Sequence, residues 1–253
     1  AEAGFAVTGM GCDGSWDSTD QIPQRAVAAG LIPRFGHVDD TTGGESHRYS
    51  LSLDAWSRHD GRGWSALAYA IDYQLDLISN FTYVLDQDNG DQFEQYDSRR
   101  VYGGHFEYDL PASLNSRDGA LRAGAELRMD DIAPVALYRT IARERFETIR
   151  RDDVRQGQYS AYAIHDQRWN DWLRTEAGLR FDYLDFSVDS DLPANSGDET
   201  DSIVGPKLTV VLGPWAETEF FLNAGRGFHT NDARGTTIRV DPTNGVTPVQ
   251  PVD

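Results

Sequence analysis

Large apolar side chains alternate with polar or small ones along much of the chain. The clearest run extends from Leu67 to Leu85. Its odd positions are Leu67, Tyr69, Ile71, Tyr73, Leu75, Leu77, Ser79, Phe81, Tyr83 and Leu85. Acids, amides and small residues occupy most of the even positions, and a period of two residues is typical of a β-strand. The run predicts an amphipathic strand whose odd positions form the apolar face.

The same alternation recurs in eight further stretches, which gives nine predicted strands. Their apolar positions are Phe5 and Val7; Tyr49, Leu51, Leu53 and Ala55; Tyr102, Gly104, Phe106, Tyr108 and Leu110; Leu121, Ala123, Ala125, Leu127 and Met129; Tyr162 and Ile164; Leu173, Thr175, Ala177, Leu179, Phe181 and Tyr183; Leu208, Val210 and Leu212; and Phe220, Leu222 and Ala224. Arginines and acids share the opposite face of several of these stretches. Each predicted strand therefore has one apolar and one polar face.

Two kinds of connection alternate between the predicted strands. The tight ones, rich in Gly, Pro, Asn and Asp, are residues 59–63, 111–119, 165–171 and 213–216. The others, mostly longer and more polar, are residues 13–45, 87–90, a stretch around 134–153, residues 189–201 and the tail from Thr230. In the first of these, Pro23 and Gly30 bracket a predicted short helix. Strict alternation predicts an up-and-down antiparallel sheet whose ninth strand has no partner.

The polar face separates a membrane barrel from a soluble β-sandwich, in which single strands also alternate. Mixed charges at nearly every position are typical of a wet lumen, and aromatic residues near the ends of the apolar faces are typical of interfacial girdles. Hydrophobic residues make up only 39% of the chain, and no window approaches the roughly 18 apolar residues of a transmembrane helix. The predicted fold class is all-β, an antiparallel up-and-down transmembrane β-barrel.

Charge and motif content narrow the function classes. The formal charge of -18 disfavours binding to nucleic acid, whose phosphates would be repelled. Cys12 is the single cysteine of the sequence, which excludes an intrachain disulfide and a multi-cysteine metal site. The six histidines show no pair at helical metal-ligand spacing, and no nucleophile elbow or phosphate loop occurs. We expect no enzymatic activity, no cofactor and no metal site.

The charged faces supply the candidate ligand contacts. The wall residues that would line a lumen are Arg122, Glu126, Arg128, Arg174, Glu176, Arg180, Asp182, Lys207 and Asn223. Cross-strand pairs of opposite charge also stabilise a sheet directly. These residues can therefore serve a ligand, the barrel wall, or both.

Several stretches resemble the barrel of TonB-dependent outer-membrane receptors. The longest is Asn223–Gly235, which contains Arg226, His229, Asn231, Asp232 and Arg234. Similar to the same family are Trp16–Pro23, Ser79–Tyr83, Asp91–Arg99, Pro206–Leu208 and Gly213–Trp215. The resemblance covers nearly the whole chain. It implies a 22-stranded barrel with an N-terminal plug and a TonB box, which imports scarce metal chelates, vitamins or sugars with energy from the inner membrane.

Compared with such a complete receptor, residues 1–253 are expected to form one domain, a partial barrel with about nine of the 22 strands. The plug, the TonB box and the signal peptide are expected to be absent from these residues. The implied partners are a small-molecule ligand at the extracellular side, outer-membrane lipid, and the TonB complex through the N-terminal part. The implied location is the bacterial outer membrane. Two alternatives stay open: a passive outer-membrane diffusion channel, and a soluble secreted β-protein that acts on polysaccharide.

Overall fold

The computed structural model describes residues 2–18 and 21–252, which form one antiparallel sheet of nine strands in sequence order. Part of the predicted motif Trp16–Pro23 lies outside the described residues. The strands are β1 (Glu2–Asp17), β2 (Gly43–His59), β3 (Arg62–Ser79), β4 (Phe93–Pro111), β5 (Gly119–Ile141), β6 (Glu144–Arg168), β7 (Leu173–Ser190), β8 (Gly197–Trp215) and β9 (Thr218–Gly225). Among the described residues, β1 and β9 do not pair with each other, so the sheet is unclosed. The predicted up-and-down order of nine strands is confirmed.

Two short helices and one turn of 3-10 helix lie in the connections. Helix α1 (Gln24–Ala28) follows Pro23, and the chain turns at Gly30 with a φ of 69°. This confirms the helix predicted between Pro23 and Gly30. Helix α2 (Ala233–Thr237) follows β9, and the 3-10 turn spans Pro193–Asn195. In the part of the chain that the structure describes, no helix is long and apolar enough to cross a membrane.

Tight turns close one end of the sheet, as predicted. Asp60 and Gly61 join β2 to β3, and both have positive φ angles of 49° and 76°. Ala216 and Glu217 join β8 to β9 in the same way, at 48° and 63°. Two central residues with positive φ form the turn whose twist matches that of an antiparallel hairpin. The two remaining connections at this end, residues 112–118 and 169–172, are also short.

The loop predicted around residues 134–153 is wrong. Strand β5 continues to Ile141 and β6 begins at Glu144, so that only Ala142 and Arg143 form the turn. The pairing of β5 with β6 contains three register shifts, beginning between Ile132 and Val135. Such irregularities, together with polar residues on both faces, remove the period-two contrast that identifies a strand. The two longest strands of the sheet form this hairpin.

The short connection predicted at residues 87–90 is also wrong. Strand β3 ends at Ser79 and β4 begins at Phe93, so the connection spans residues 80–92. The carboxylate of Asp91 accepts hydrogen bonds from the backbone N–H groups of Val84 and Leu85 at 2.9 and 3.0 Å and from the hydroxyl of Thr82. These bonds hold the chain in an irregular loop, although its residues continue the alternation of β3.

Pairing across the sheet defines two faces, because directly opposed residues of antiparallel strands project to the same side. One continuous row runs through Val7, Leu53, Ala68, Gly104, Leu127, Tyr159 and Tyr183. The neighbouring row runs through Ala6, Asp54, Leu67, His105, Glu126, Ser160 and Asp182. We call the face of the first row the outer face and the face of the second row the inner face. Residues 226–252 fold back against the inner face.

The outer face carries a band of exposed apolar side chains. On β8 this band extends from Val204 to Leu212, about 26 Å along the strand at about 3.3 Å per residue. Aromatic side chains flank it. Tyr159 and Tyr183 contact each other at a centroid distance of 6.3 Å on the side of the long connections. At the side of the tight turns, Trp215 stacks on Trp172 and contacts Phe220 at 6.1 and 6.2 Å.

The apolar faces predicted for the third and sixth strands are wrong. The odd positions of β3, including Leu67 and Tyr69, lie in the inner rows, whereas Ala68 lies in the outer row. Tyr162 and Ile164 of β6 likewise lie in the inner rows. Alternation shows that a strand has two different faces, but only its register with neighbouring strands determines which face is outward. For the other seven strands, the predicted apolar positions lie in the outer rows, so these predictions are confirmed.

Candidate functional site

All nine polar residues predicted to line a lumen lie on the inner face. Alternate positions of one strand project to the same side, and the paired residues of β5, β7, β8 and β9 continue that side across the sheet. Their placement is therefore set by the register of the sheet. The residues are Arg122, Glu126 and Arg128 on β5; Arg174, Glu176, Arg180 and Asp182 on β7; Lys207 on β8; and Asn223 on β9.

Arg180 is the centre of a polar network in the middle of the inner face. Its Nη2 donates to Oε2 of Glu126 at 2.7 Å and to Oγ of Ser160 at 2.8 Å. Its Nε donates to the carboxylate of Asp182 at 3.0 Å. Asp182 is 1% exposed and also accepts a hydrogen bond from Ser160 at 2.6 Å. The guanidinium and the carboxylates therefore hold β5, β6 and β7 in one register.

Tyr162 extends this network toward β4. Its hydroxyl donates to Oε2 of Glu107 at 2.7 Å and lies 2.9 Å from Nε2 of His105. Arg122 lies 3.4 Å from Glu107 and 3.1 Å from Asp109. Of these residues, Glu107, Arg122 and Tyr162 line a recess that we call the middle recess, together with Arg180 and its carboxylate partners Glu126 and Asp182. Glu107 and Tyr162 were not predicted as lining residues.

Near the tight turns, the predicted residues form exposed cross-strand pairs. Nζ of Lys207 lies 2.6 Å from Glu176. Arg174 contacts Glu219 at 3.0 Å, and Asn223 accepts a hydrogen bond from Thr209 at 2.8 Å. Exposed pairs of this kind contribute about 0–1 kcal/mol each to stability. They stabilise the wall, and Lys207 also lines the middle recess.

A second recess lies nearer the long connections, and we call it the upper recess. Its volume is about 410 Å³, and β4, β5, β6 and β7 form its floor. Its polar lining residues are Asp97, Arg99, Arg128, Asp130, Gln156, Gln158, Thr230, Asn231, Asp232 and Arg234. The apolar part of the lining consists of Ile132, Val135, Val154, Leu184 and Phe186.

In the upper recess each arginine is paired with an aspartate two residues away. Arg128 donates from Nε and Nη2 to the two carboxylate oxygens of Asp130 at 2.7 and 2.9 Å. Arg99 forms the same pair with Asp97 on β4. Residues two apart on a strand share a face, so this spacing places the guanidinium group of each arginine beside the carboxylate of its aspartate. The remaining donors and acceptors are held in place by these pairs.

The family-motif residues approach both recesses after β9 ends. The chain leaves the sheet at Gly225, so that Arg226 lines the middle recess and Asn231, Asp232 and Arg234 line the upper one. Arg234 pairs with Asp232 at 2.7 Å in the same spacing as the strand pairs. His229 of the motif is exposed and is not among the residues that line either recess.

A small apolar core anchors this part of the chain. Ala233 of α2 is 1% exposed and packs in a cluster with Ile132, Val154 and Val188 of the inner face. The main-chain oxygen of Arg234 accepts a hydrogen bond from Arg150 at 3.4 Å. Residues more than 80 positions apart in the sequence thus meet at the upper recess.

Comparison with known proteins agrees with this architecture. The family described as TonB-dependent receptor-like β-barrel matches residues 12–251. The ferric citrate transporter FecA, in its unliganded form, has a similar structure with a TM-score of 0.72 and 12% sequence identity. The match covers 88% of this chain and 33% of that chain, so the present chain spans about a third of the transporter's length.

At 12% identity the likeness to the transporter concerns the fold. No curated protein sequence matches the chain. The family match extends over nearly all of the sequence, and the nine antiparallel strands have the arrangement of a barrel wall. The chain belongs to the family of TonB-dependent receptors and forms a nine-stranded part of the receptor β-barrel.

Proposed function

We propose that the chain is part of the wall of an outer-membrane receptor that imports a scarce small molecule with energy supplied through TonB. The upper recess is the observation that carries this proposal. It combines paired guanidinium and carboxylate groups with amides and a partly apolar floor. Pockets of this kind orient a ligand by a few fixed polar groups. The ligand classes that we consider are a metal chelate, a vitamin and a carbohydrate.

The outer face supports a position in the membrane. Its apolar band is about 26 Å long along β8, and a strand tilt of about 40° reduces this to a height of about 20 Å, a few ångströms less than the roughly 25 Å apolar band of outer-membrane barrels. The tyrosines and tryptophans at the two margins of the band suit the lipid–water interfaces. The family is one of bacterial outer-membrane receptors, and lipid is the partner that this face fits.

The inner face supports binding without covalent chemistry. Arg99, Arg128 and Arg234 are each held by an aspartate, so their remaining N–H groups are ordered before a ligand arrives. Ordered donors reduce the entropy lost on binding. In the proposed receptor the ligand binds from the extracellular side, and the TonB complex acts through the N-terminal part that the family contains.

Uptake in cells tests the proposal. Strains with and without the gene would receive radiolabelled ferric citrate, vitamin B12 or a maltooligosaccharide at low concentration. We expect saturable uptake of at least one probe class, its loss when TonB is deleted, and weaker uptake in R128A. Uptake that persists without TonB would favour a passive diffusion channel. Recovery of the protein in the soluble fraction without detergent would contradict the membrane proposal.

A further inference from the structure

Asn195 makes three hydrogen bonds to a segment that lies more than 40 residues away in sequence. Its Oδ1 accepts from the backbone N–H groups of Arg239 and Val240 at 2.8 and 3.0 Å. Its Nδ2 donates to the main-chain oxygen of Val240 at 3.0 Å. The residue is 0% exposed. A buried amide with both ends satisfied by another part of the backbone is a strong, directional link.

The residue is itself held rigidly. It closes the 3-10 turn between β7 and β8, where its N–H donates to the main-chain oxygen of Leu192 at 2.8 Å. In the same connection, Oγ of Ser196 accepts a hydrogen bond from the N–H of Ser190 at 2.9 Å. The side chain of Asn195 therefore projects from a fixed turn.

The partner segment contributes one wall of the upper recess. We call residues 226–252 the return segment. Its first part provides Asn231, Asp232 and Arg234 to the recess, and Val240 lies three residues after the end of α2. Further along, Val240 forms a bridge with Pro248, so the link at Asn195 holds a folded loop and not a single residue.

We propose that Asn195 is a positioning residue that holds the return segment over the inner face and so keeps the upper recess in its binding shape. We call the hydrogen-bonded link between Asn195 and residues 239–240 the latch. Its effect on ligand binding rests on the proposed receptor function, whereas the latch itself does not. Contacts from elsewhere support the same position: Arg239 pairs with Glu199 at 3.2 Å, and Ala233 packs on the inner-face cluster. The Arg239 pair is exposed and screened, whereas the Asn195 bonds are buried.

An amide is required at this position because it accepts and donates at once. In N195A all three bonds are lost. In N195D the carboxylate still accepts from Arg239 and Val240, but its second oxygen faces the main-chain oxygen of Val240 and cannot donate. When the introduced carboxyl is protonated, its O–H can donate to that oxygen. The latch in N195D should therefore close again at low pH.

Spin-label mobility tests the latch without any ligand. The label is placed at Val246 of the return segment, which is 76% exposed, in a C12S background. At pH 7.5 we expect a more mobile spectrum for N195A than for the protein with Asn195 in place, and for N195D a similar increase in mobility that is reversed at pH 4. A label at Val84, in the separate loop of residues 80–92, should keep its spectrum in both variants.

N89A is the matched control, because Asn89 is an exposed asparagine whose amide bonds stay within its own loop. It should leave the label at Val246 unchanged. A spectrum of the label at Val246 that is unchanged in N195A would overturn the proposal, and so would a mobility in N195D that does not depend on pH. Failure of every uptake probe would count against the receptor function alone, since the spectra are recorded without ligand.

Discussion

The ring of Tyr69 on β3 lies across Gly103, its direct partner on β4, so closely that a β-carbon at position 103 would overlap the ring. Tyr162 covers Gly124 on β5 in the same manner. Both pairs belong to the inner face. A glycine opposite each ring provides the space in which a large side chain lies flat on the sheet. This explains how β3 and β6 carry large side chains inward.

G103A should destabilise the barrel by about 1–3 kcal/mol, the usual cost of overpacking, because the Tyr69 ring must leave its position. Urea unfolding in lipid vesicles would measure this. G9A is the control, since a β-carbon at Gly9 meets no atom within 4 Å. In a Y69A background G103A should cost nothing, and an equal cost there would show that the ring is not the cause.

The reversed face of β3 leads to a second prediction. Ala68 lies on the outer face and Ala6 on the inner face, at neighbouring levels of the sheet, and both are exposed. An arginine on the lipid side near the middle of a barrel costs about 2–4 kcal/mol. A68R should therefore lower the stability in vesicles by that amount, and A6R should change it little. Equal effects would place the two alanines in the same environment and contradict the assignment of faces.

Local pattern predicted the strands but not the direction of every face. Leu53 and Leu67 both have the contrast of an amphipathic strand, yet Leu53 is outward and Leu67 is inward. The difference arises because Leu67 pairs with Asp54 and His105, which are distant in sequence. The β5–β6 hairpin was missed for a related reason, since polar residues and bulges on both sides of Ile141 leave no local period.

The candidate site was predicted in part. The charged ladders of β5 and β7 gave Arg128 and Arg180 directly, because alternate charges are a local feature. The Asp–x–Arg spacing at Asp97 and Arg99 is a local feature of the same kind, and it indicates a pair on one face of β4. No local signal joins Asn231 to Arg128, because the return segment reaches the recess only through tertiary packing.

Removal of Arg180 should destabilise the wall. Asp182, at 1% exposed, would keep the hydrogen bonds from Ser160 and Gln158 but lose its cation. Leaving a buried charge uncompensated costs about 3 kcal/mol or more. R180A should show this loss in urea unfolding, whereas R174A removes an exposed pair with Glu219 and should cost under about 1 kcal/mol. A small effect of R180A would mean that water reaches Asp182.

The loop of residues 80–92 should depend on the ionisation of Asp91. Hydrogen bonds from the Thr82 hydroxyl and from the N–H groups of Val84, Asp86 and Leu85 lower the pKa of Asp91 to about 2. Desolvation raises the pKa and offsets only part of this effect. A lowered pKa means that the carboxylate stabilises the loop fully above its usual pKa of 3.8 and that this contribution is lost as pH falls through about 2.

Hydrogen exchange at Val84 and Leu85 would follow this titration. After correction for the intrinsic pH dependence of exchange, protection should persist at pH 3 and fall below about pH 2. D91N should remove the protection already at neutral pH, and D88N should not. Loss of protection near pH 4 in the unaltered protein would contradict the assigned role of Asp91.

Asp39 joins the connection of residues 18–42 to that of residues 80–92, and Gln92 links both to the two-residue turn between β5 and β6. Oδ2 of Asp39 accepts from Nδ2 of Asn80 at 2.8 Å and from Nε2 of Gln92 at 2.6 Å, and its Oδ1 accepts from Thr41. Oε1 of Gln92 accepts from the N–H of Arg143 in the β5–β6 turn at 3.0 Å. Burial raises the pKa of Asp39, but these hydrogen bonds outweigh it and hold the pKa below its usual value.

D39N should loosen residues 18–42, because an amide nitrogen would then face the donors of Asn80, Gln92 or Thr41. A loss of about 1.4 kcal/mol raises the open population tenfold, and cleavage follows that population when reclosing is fast. Limited trypsin digestion of intact cells should therefore cut at Arg25 and Arg34 about tenfold faster in D39N. D40N changes an exposed neighbour and should leave the rate unchanged. Equal rates in the two variants would show that Asp39 does not hold this connection.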